Sequence, residues 1–169
     1  MSFKKHRAQA PKRLRIGIIV VSDSRASAAR RGLDLDISGK LIQREVEKRG
    51  HKSVRFIVPD NRIKISKSLR KLLGETDAII LTGGTGVTKR DVTIETVEPL
   101  FEKSLPGFGE ILRRIGYEKV GTPALLTRAA AGIIKQKPVF CLPGAPNAVR
   151  VAMKLILPDL PHLVKHARE

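Results

Sequence analysis

The first half of the chain alternates short runs rich in Ile and Val with segments of helical periodicity. The apolar runs cover residues 15–22, 51–58 and 77–82. A short continuous apolar run is typical of a strand buried on both faces. Between the runs, apolar side chains recur at helical spacing, first in a segment that Asp36 or Ser38 could cap and Gly50 could stop, and then over residues 63–73. This alternation predicts parallel strands joined by right-handed helical crossovers, and therefore an α/β fold with a mostly parallel sheet.

The second half of the chain continues the pattern less regularly. Apolar spacing and the Pro and Gly residues predict helices over 93–101, 107–117 and 147–157, and strands over 124–127 and 137–142. A length of 169 residues with 41% hydrophobic content allows one compact domain with a single core. We therefore predict one domain over residues 14–169, preceded by a basic, flexible tail over residues 1–13 that is dispensable for function.

The charge balance narrows the class of partner. The chain carries 33 Lys and Arg residues against 16 Asp and Glu residues, a formal net charge of +17, which should attract anions. Only 4% of residues are aromatic and Trp is absent, so the stacking platforms of single-strand nucleic-acid binders are scarce. We therefore interpret the basic tail as a solvated segment and do not expect nucleic acid as a partner.

Localisation signals are absent from the sequence. No apolar run approaches the roughly 20 residues that a membrane span needs, and the basic residues 4–7 are not followed by a signal-type apolar segment. The single cysteine, Cys141, excludes an intramolecular disulfide and is predicted to be a small buried hydrophobic residue. These features predict a cytoplasmic protein that does not bind membranes.

Polar residues follow each of the first three predicted strands. They are Ser22, Asp23 and Ser24 after the first strand, Pro59 and Asp60 after the second, and the segment 82–86 after the third. Ligands of open α/β sheets bind beyond the carboxyl ends of the strands. We therefore expect these three stretches to meet at one edge of the sheet and to form a pocket.

The segment over residues 81–91 (LTGGTGVTKRD) is the strongest candidate for a phosphate-binding loop. Gly83, Gly84, Thr85 and Gly86 come directly after a strand, so their amides can approach phosphate oxygens closely, and Lys89 and Arg90 add positive charge. The segment is neither a Walker A loop nor a dinucleotide-binding fingerprint. An ordinary glycine-rich turn accounts for the composition equally well, so composition alone leaves both interpretations open.

Two carboxylates lie beside these loops. Asp91 stands among amides and cations, where a carboxylate would be costly unless it holds a cation such as Mg²⁺. Alternatively, Asp91 contributes only favourable charge at the start of a helix that Thr93 caps. Asp60 can be interpreted as a turn residue after Pro59.

A second glycine loop follows the predicted strand 137–142 and opens the last predicted helix. It contains Pro143, Gly144, Pro146 and Asn147. The N-terminus of a helix is a suitable place for an anion. The alternative is a rigid turn in which Asn147 caps the helix.

Taken together and in this order, the motifs resemble the MoaB/MogA family of molybdenum cofactor synthesis, which is related to the pterin-binding domains of gephyrin-like scaffolds. The similarity covers nearly the whole chain except the tail. Its motifs are VVSDSR at 20–25, D-x-S-G at 36–39, VPD at 58–60, TGGTG at 82–86 with RDVT at 90–93, PGFGE at 106–110 and LPGAPNAVR at 142–150.

The resemblance implies a three-layer α/β/α, MogA-like molybdopterin-binding fold and an adenylyltransferase activity. In that reaction, the phosphate of molybdopterin attacks the α-phosphorus of ATP in the presence of Mg²⁺ and pyrophosphate is released. The resemblance assigns catalytic roles to Asp60 and Asp91, with Asp91 as the Mg²⁺ ligand. It assigns phosphate, pterin or nucleotide binding to Ser22, Asp23, Ser24, Gly83, Gly84, Thr85, Gly86, Lys89, Arg90, Thr93, Gly107, Glu110, Pro143, Gly144, Pro146 and Asn147.

Family members that have lost the transferase activity tend to lack the pattern that stands here as Arg90 to Thr93, so the resemblance favours an active enzyme. The alternatives are a molybdopterin-binding protein of the same fold without turnover and a basic nucleic-acid-binding or structural protein. The resemblance also implies a homotrimer or a dimer of trimers, and a separate molybdate-insertion protein as partner. From the sequence itself, the apolar residues Ile111, Leu112, Ile115 and Leu125 are predicted to lie in the core rather than at an interface.

Overall fold

One mixed sheet forms the centre of the computed structural model, which describes residues 10–169. Its strands run in the order β2-β1-β3-β6-β5-β4. The first four strands in this order are parallel, β5 is antiparallel to β6, and β4 is antiparallel to β5. The predicted α/β class with a mostly parallel sheet is therefore confirmed. The strands are β1 (Arg15–Val21), β2 (Lys52–Val58), β3 (Ala78–Thr82), β4 (Lys103–Ser104), β5 (Ala130–Ile134) and β6 (Lys137–Leu142).

Helices cover both faces of this sheet. The α-helices of the described part of the chain are α1 (Asp23–Arg30), α2 (Ser38–Lys48), α3 (Arg62–Glu75), α4 (Thr93–Val97), α5 (Pro106–Val120), α6 (Pro146–Ile156) and α7 (Leu160–Arg168). Two 3-10 turns span Glu98–Leu100 and Thr122–Leu126.

The alternation of side chains along β1 divides the core into two halves. Ile16, Ile18 and Val20 pack with buried residues of α2, α5, α6 and α7 on one face. Ile19 and Val21 pack with buried residues of α3 and α4 on the other. Burying both faces of the central strands removes a large apolar area from water, which stabilises the folded state by about 25 cal/mol for each Å² that is buried. The structure is therefore the predicted three-layer α/β/α arrangement.

Side-chain hydrogen bonds mark where the first three helices begin. Ser22 caps α1 by accepting a hydrogen bond from the amide of Arg25, and Asn61 caps α3 by accepting one from the amide of Lys64 at 3.0 Å. α2 begins without a side-chain cap on its N-cap residue, but Asp36 accepts a hydrogen bond from the amide of Gly39 at 2.9 Å. Asp36 therefore satisfies an amide in the first turn of α2, but the N-cap position belongs to Ile37 and not to Asp36 or Ser38 as predicted.

The structure corrects several of the predicted elements. Residues 124–127, predicted as a strand, belong mostly to the 3-10 turn Thr122–Leu126, and the strand lies at β5 instead. Asn147 does not cap α6, because the helix begins at Pro146 and its N-cap is Ala145. The prediction contained neither α7, which follows the last predicted helix, nor α1, which begins directly after β1.

Leu14, the first residue of the predicted domain, is 2% exposed. The side chain of Arg13 donates a hydrogen bond to the carbonyl of Gly50 at 3.1 Å, so this residue is already attached to the domain. Residues 1–9 of the predicted tail lie outside the described residues. Cys141 is fully buried, as predicted, and burial raises the pKa of its thiol. Among residues 10–169, no helix combines the length and the apolar content that crossing a membrane requires.

The strand order places a topological switch point between β1 and β3. The chain leaves β1 for β2 on one side and returns past β1 to β3 on the other. In open α/β sheets the connections diverge at such a point and leave a crevice beyond the carboxyl ends of the strands. The segments after β1 and β3 begin at this crevice.

Candidate functional site

Four loops meet beyond the carboxyl edge of the sheet. The segment after β1 is Ser22 with the first turn of α1, and the loops after β2, β3 and β6 cover residues 59–61, 83–92 and 143–145. Backbone hydrogen bonds extend the strand pairing into them, because the amide of Ser22 donates to the carbonyl of Val58 and the amide of Gly83 donates to the carbonyl of Leu142. The predicted meeting of the first three stretches is therefore observed, and the second glycine loop joins them.

Gly83 and Gly84 follow a path that only glycine adopts without strain. Their φ angles are +93° and +62°. A Cβ on Gly83 would overlap the backbone carbonyl oxygen of Val21, and a Cβ on Gly84 would lie 2.7 Å from a carboxylate oxygen of Asp60. The glycines therefore let the loop after β3 pass directly against β1 and against the turn after β2.

Thr93 holds the same loop from the other side. Its hydroxyl donates to the carbonyl of Gly83 at 2.8 Å, and its amide donates to the carbonyl of Gly84 at 2.9 Å. Thr93 is fully buried and is the first residue of α4. It is therefore a loop anchor rather than the helix cap that the sequence suggested.

Asp91 lies against the glycine loop. One oxygen of its carboxylate accepts hydrogen bonds from the amide of Thr88 at 2.9 Å and from the hydroxyl of Thr88 at 2.6 Å. A Cβ on Gly86 would approach the same oxygen to 2.8 Å. Burial alone would raise the pKa of Asp91, but the hydrogen bonds from Thr88 and Gly86 and the nearby charge of Arg128 lower the pKa below its usual value. Asp91 is therefore an ionised carboxylate directly beside the glycine loop.

Asp60 and Asp23 hold each other through their backbones. The amide of Asp23 donates to the carboxylate of Asp60, and the amide of Asp60 donates to the carboxylate of Asp23, both at 3.0 Å. Burial raises the pKa of Asp60, and the negative charges of Asp23 and Asp91 raise it further against the effect of these hydrogen bonds. Three carboxylates therefore concentrate negative charge at one side of the loop.

The pKa of Asp60 should change when the negative charge on Asp23 is removed. We expect Asp23→Asn to lower the pKa of Asp60, because the amide oxygen still accepts the hydrogen bond from Asp60 while the negative charge is lost. Carbon NMR titration of the Asp60 carboxyl measures the change. The matched control is Glu118→Gln, which removes an exposed carboxylate on α5. An Asp60 pKa that is unchanged or raised in Asp23→Asn would contradict this account of the cluster.

Two pockets meet at the contact between Gly83 and Gly144. A Cβ on Gly144 would lie 3.2 Å from the Cα of Gly83, so the two glycine loops touch at their backbones. One pocket, of about 340 Å³, is lined by Ser22, Ser24, Arg25, Asp36, Ile37, Ser38, Thr82, Gly83, Gly144 and Pro146, together with Val20 and Val21. The other, of about 330 Å³, is lined by Gly83, Gly84, Thr85, Gly86, Asp91, Pro123, Leu126, Thr127, Arg128, Pro143, Gly144 and Ala145.

An ion-pair network fixes the start of α2 at the first pocket. Arg55 forms ion pairs with Asp34 and with the buried Asp36. The hydrogen bond from Arg55 is the main cause that lowers the pKa of Asp34, to about 2. Ser38, two residues after Asp36, donates its hydroxyl to the carbonyl of Gly144 at 2.7 Å. The D-x-S-G motif therefore connects the wall of this pocket to the second glycine loop.

The predicted site residues divide into three groups by position. Those that line the two pockets are Ser22, Ser24, Gly83, Gly84, Thr85, Gly86, Asp91, Pro143, Gly144 and Pro146. Those that support the loops from behind are Asp23, Asp60 and Thr93. The remaining five, Lys89, Arg90, Gly107, Glu110 and Asn147, line neither pocket.

The five residues that line neither pocket occupy three different places in the fold. Lys89 and Arg90 are exposed at the tip of the loop. Gly107 and Glu110 lie in the first turns of α5, which follows the edge strand β4. Asn147 is exposed on α6, where its side-chain oxygen accepts a hydrogen bond from Arg150 at 2.8 Å.

Sequence reasoning missed Arg25 and Arg128 as pocket residues. Arg25 belongs to the VVSDSR motif, so the motif itself pointed to it. Arg128 follows the residues that were wrongly predicted as a strand, and no motif marked it. Its proximity to the loop after β3 depends on the antiparallel pairing of β5 with β6.

The carboxylates of the site suit Mg²⁺ only as part of a shared coordination sphere. Carboxylate oxygens are the donors that Mg²⁺ prefers, and a cation would favour the ionised form of Asp60, whose pKa is raised. In the described part of the chain, no three His, Cys, Asp or Glu side chains are arranged to hold a metal ion. The donor set therefore fits a Mg²⁺ that takes most of its ligands from phosphate oxygens and water.

Comparison with known proteins gives consistent matches over the whole domain. A family model described as a probable molybdopterin binding domain matches residues 17–162. A molybdopterin adenylyltransferase from Pyrococcus furiosus is 42% identical, with 100% of both chains covered. The molybdenum cofactor biosynthesis protein B of Bacillus subtilis is 43% identical, with 100% of this chain and 99% of the relative covered.

Solved structures agree with these matches. The tungsten cofactor synthesizing protein MoaB from Pyrococcus furiosus superposes with a TM-score of 0.85 at 43% identity, covering 95% of this chain and 100% of that protein. A MogA structure superposes with a TM-score of 0.79 at 28% identity, covering 90% of this chain and 99% of that protein.

Proposed function

The chain belongs to the MoaB/MogA family of molybdopterin-binding domains, and from this premise we propose that it is a molybdopterin adenylyltransferase of molybdenum cofactor biosynthesis. The observation that carries the proposal is the position of Asp91. An ionised carboxylate lies directly beside the amides and glycines of a loop that lines a pocket of about 330 Å³. A site for anionic phosphates gains nothing from a carboxylate unless that carboxylate helps to hold a cation.

The proposed reaction moves an adenylyl group between two phosphorylated substrates. An oxygen of the terminal phosphate of molybdopterin forms a bond to the α-phosphorus of ATP. The bond between that phosphorus and the oxygen bridging to the β-phosphate breaks, and pyrophosphate leaves with the bonding electron pair. The products are adenylated molybdopterin and pyrophosphate. Phosphoryl transfer of this type needs positioning and charge neutralisation more than a protein nucleophile.

We assign the positioning of the substrates to the two glycine loops and the pockets beside them. The loops at Gly83 to Gly86 and at Pro143 to Asn147 hold phosphate and pterin groups through their backbones. The adjoining pockets, which share Gly83 and Gly144, would let two substrates lie side by side across the contact between the loops. Ser22 and Ser24 offer hydroxyl groups on the wall of the first pocket. The predicted cations Lys89 and Arg90 stay within the proposal as exposed groups at the tip of the loop after β3.

Asp60 and Asp91 are the proposed catalytic carboxylates. When Mg²⁺ is bound, it supplies charge neutralisation of the phosphate oxygens. Asp91 would hold it on the loop side, and its hydrogen bonds from Thr88 keep the carboxylate in place. Asp60 supports the same charge cluster, while its backbone and side chain tie the loop after β2 to the start of α1.

The alternative within the family is a molybdopterin-binding protein without turnover. The retained Arg90-Asp91-Val92-Thr93 pattern favours activity, since Asp91 and Thr93 have defined contacts with the glycine loop. Purified full-length protein, given molybdopterin and Mg-ATP, should release pyrophosphate well above the rate without enzyme. Binding of molybdopterin with no release would support the alternative. Salt-sensitive binding of nucleic acid without either outcome would support a basic nucleic-acid-binding protein.

We also propose that the protein is a homotrimer or a dimer of trimers. Leu112 is buried as predicted, but Ile111 and Leu125 are 51% and 81% exposed, so the prediction that these two lie in the core is wrong. Ile115 is partly buried. Tyr117, Val120 and Leu126 are also exposed on α5 and the following 3-10 turn. Several large apolar side chains on one stretch of surface are typical of a protein interface.

Light scattering of the full-length protein tests this prediction. We expect the mass of three or six copies of the 18.6 kDa chain. Leu125→Glu should shift the mass toward the monomer, because it places a charge on the exposed apolar surface, whereas Ile63→Glu on the exposed side of α3 should not. A monomeric mass for the unmodified protein would contradict the prediction.

The remaining parts of the proposal concern the cellular context. We propose that residues 14–169 form a single domain and that a separate molybdate-insertion protein acts on the adenylated product. We propose a cytoplasmic enzyme with the small molecules molybdopterin and ATP as substrates and with no role for nucleic acid.

A further inference from the structure

Arg128 connects the glycine loop to α4. One nitrogen of its guanidinium donates to the carbonyl of Gly86 at 2.8 Å, and the other forms an ion pair with the carboxylate of Glu95. Burial would raise the pKa of Glu95, but the hydrogen bond from Arg128 lowers it overall, so the carboxylate of Glu95 is ionised. The side chain of Arg128 is 33% exposed. It therefore has a defined position at the edge of the loop without being sealed from solvent.

The topology explains why Arg128 reaches this place. β5 runs antiparallel to β6, with Ala130 opposite Cys141. The residues just before β5 therefore lie beside the carboxyl end of β6, where the second glycine loop begins. Arg128 lines the pocket of about 330 Å³ together with Gly83 to Gly86 and Asp91.

Among the described residues that line that pocket, Arg128 is the one with a cationic side chain. Asp91 contributes negative charge there, and a phosphate would add more. Arg128 is close enough to Asp91 for its charge to lower the pKa of that carboxylate. A guanidinium has five N–H donors, so the two contacts to Gly86 and Glu95 leave donors for another acceptor. Arginine is well suited to phosphate oxygens because it can donate two parallel hydrogen bonds.

We propose that Arg128 binds a phosphate group of the ligand at the glycine loop, and that it, rather than Lys89 or Arg90, supplies the positive charge of this pocket. Lys89 and Arg90 lie in the motif, but both are exposed and neither lines the pocket. The identity of the phosphorylated ligand rests on the proposed function. The phosphate belongs either to the nucleotide and pyrophosphate or to molybdopterin.

A purely structural role for Arg128 would give a different result from phosphate binding. If Arg128 only holds the loop to α4, Glu95→Gln, which removes the ion pair, should weaken binding in the same direction as removal of Arg128. If Arg128 binds phosphate, Glu95→Gln should keep or strengthen binding, because the guanidinium remains while a competing negative charge is removed. The amide oxygen of the new side chain can still accept a hydrogen bond from Arg128.

Calorimetric titration of the full-length protein separates these roles. The probes are pyrophosphate, Mg-ATP and molybdopterin. The variants are Arg128→Met, Arg128→Lys, Glu95→Gln, Arg90→Met and the matched control Arg114→Met, which removes an exposed arginine on α5. Melting temperature and circular dichroism establish that each variant is folded.

We expect Arg128→Met to weaken binding of at least one probe by at least about tenfold, as loss of a charged hydrogen-bond donor predicts. Arg128→Lys should retain part of this affinity, Glu95→Gln should bind at least as tightly as the unmodified protein, and Arg114→Met should not change binding. A loss confined to pyrophosphate and Mg-ATP assigns Arg128 to the nucleotide, and a loss confined to molybdopterin assigns it to the pterin phosphate.

Three results would overturn the proposal. They are a change below about twofold for all probes in Arg128→Met, a loss in Glu95→Gln equal to that in Arg128→Met, and a larger loss in Arg90→Met than in Arg128→Met. Because binding is measured without turnover, failure of the protein to adenylate molybdopterin would leave these outcomes interpretable. Conversely, an active enzyme that binds all probes normally after Arg128→Met would refute this inference alone.

Discussion

Asp91→Asn is expected to lower the rate of molybdopterin adenylation by about a hundredfold or more. The substitution keeps the shape of the side chain, and the amide oxygen can still accept the hydrogen bonds from Thr88. It removes the negative charge that the proposed mechanism uses to hold a cation at the phosphates. Molybdopterin binding and the melting temperature should therefore stay close to those of the unmodified protein.

Two simpler roles for Asp91 predict other results. If Asp91 only stabilises the start of α4, Asp91→Asn should cost about 0.3–1 kcal/mol of stability and leave the rate near normal. If Asp91 only fixes the loop, Thr88→Val should reduce the rate more than Asp91→Asn, because it removes the hydroxyl that donates to the carboxylate whereas Asn can still accept both hydrogen bonds. Rate and melting temperature measured on the same samples distinguish these roles. A near-normal rate in Asp91→Asn would contradict the catalytic assignment.

Gly83→Ala is expected to destabilise the fold by about 2–5 kcal/mol and to abolish ligand binding at the loop. The residue has a φ of +93°, which is strained for alanine, and the new Cβ would overlap the carbonyl oxygen of Val21 in the central strand. The loop must therefore move away from β1, and the contact with Gly144 is lost with it.

Urea unfolding of Gly83→Ala and Gly74→Ala provides the comparison. Gly74 lies near the end of α3, and a Cβ there meets no atom within 4 Å, so this control should be neutral or stabilising by about 0.5–1 kcal/mol. If Gly83→Ala were as stable as the unmodified protein and still bound pyrophosphate, the close packing of the loop against β1 would not be required.

Sequence reasoning predicted the sheet best where hydrophobic burial alone determines the structure. β1 has a continuous Ile- and Val-rich sequence because both of its faces are covered, and a run this short and this apolar strongly favours a buried strand. β5, with the sequence AAGII, is short and rich in small residues, so it carries a weak strand signal. The neighbouring residues 124–127 carry a stronger apolar signal, although Leu125 and Leu126 are exposed in the structure. α1 escaped prediction because its eight residues include few apolar side chains.

The residues of the candidate site could also be predicted only where the sequence carries a local signal. Glycine loops that follow strands could be located from the sequence, since both the strand ends and the need for positive φ leave a local signal. Residues that reach the site only through the tertiary structure could not be located in this way. Arg128 reaches Gly86, 42 positions away in the sequence, only because β5 pairs antiparallel with β6 and so begins beside the carboxyl end of that strand. Conversely, Lys89 and Arg90 are adjacent to Asp91 in sequence, but their side chains are exposed at the loop tip and line neither pocket.

The fate of labelled ATP tests the central claim most directly. Full-length protein with molybdopterin and Mg²⁺ would be given ATP labelled at the α-phosphorus and, in a parallel reaction, at the γ-phosphorus. Adenylyl transfer predicts that the α-label moves to the pterin product in the same amount as the γ-label appears in pyrophosphate. If the α-label stays with free adenine nucleotides while molybdopterin is bound, the protein is not an adenylyltransferase.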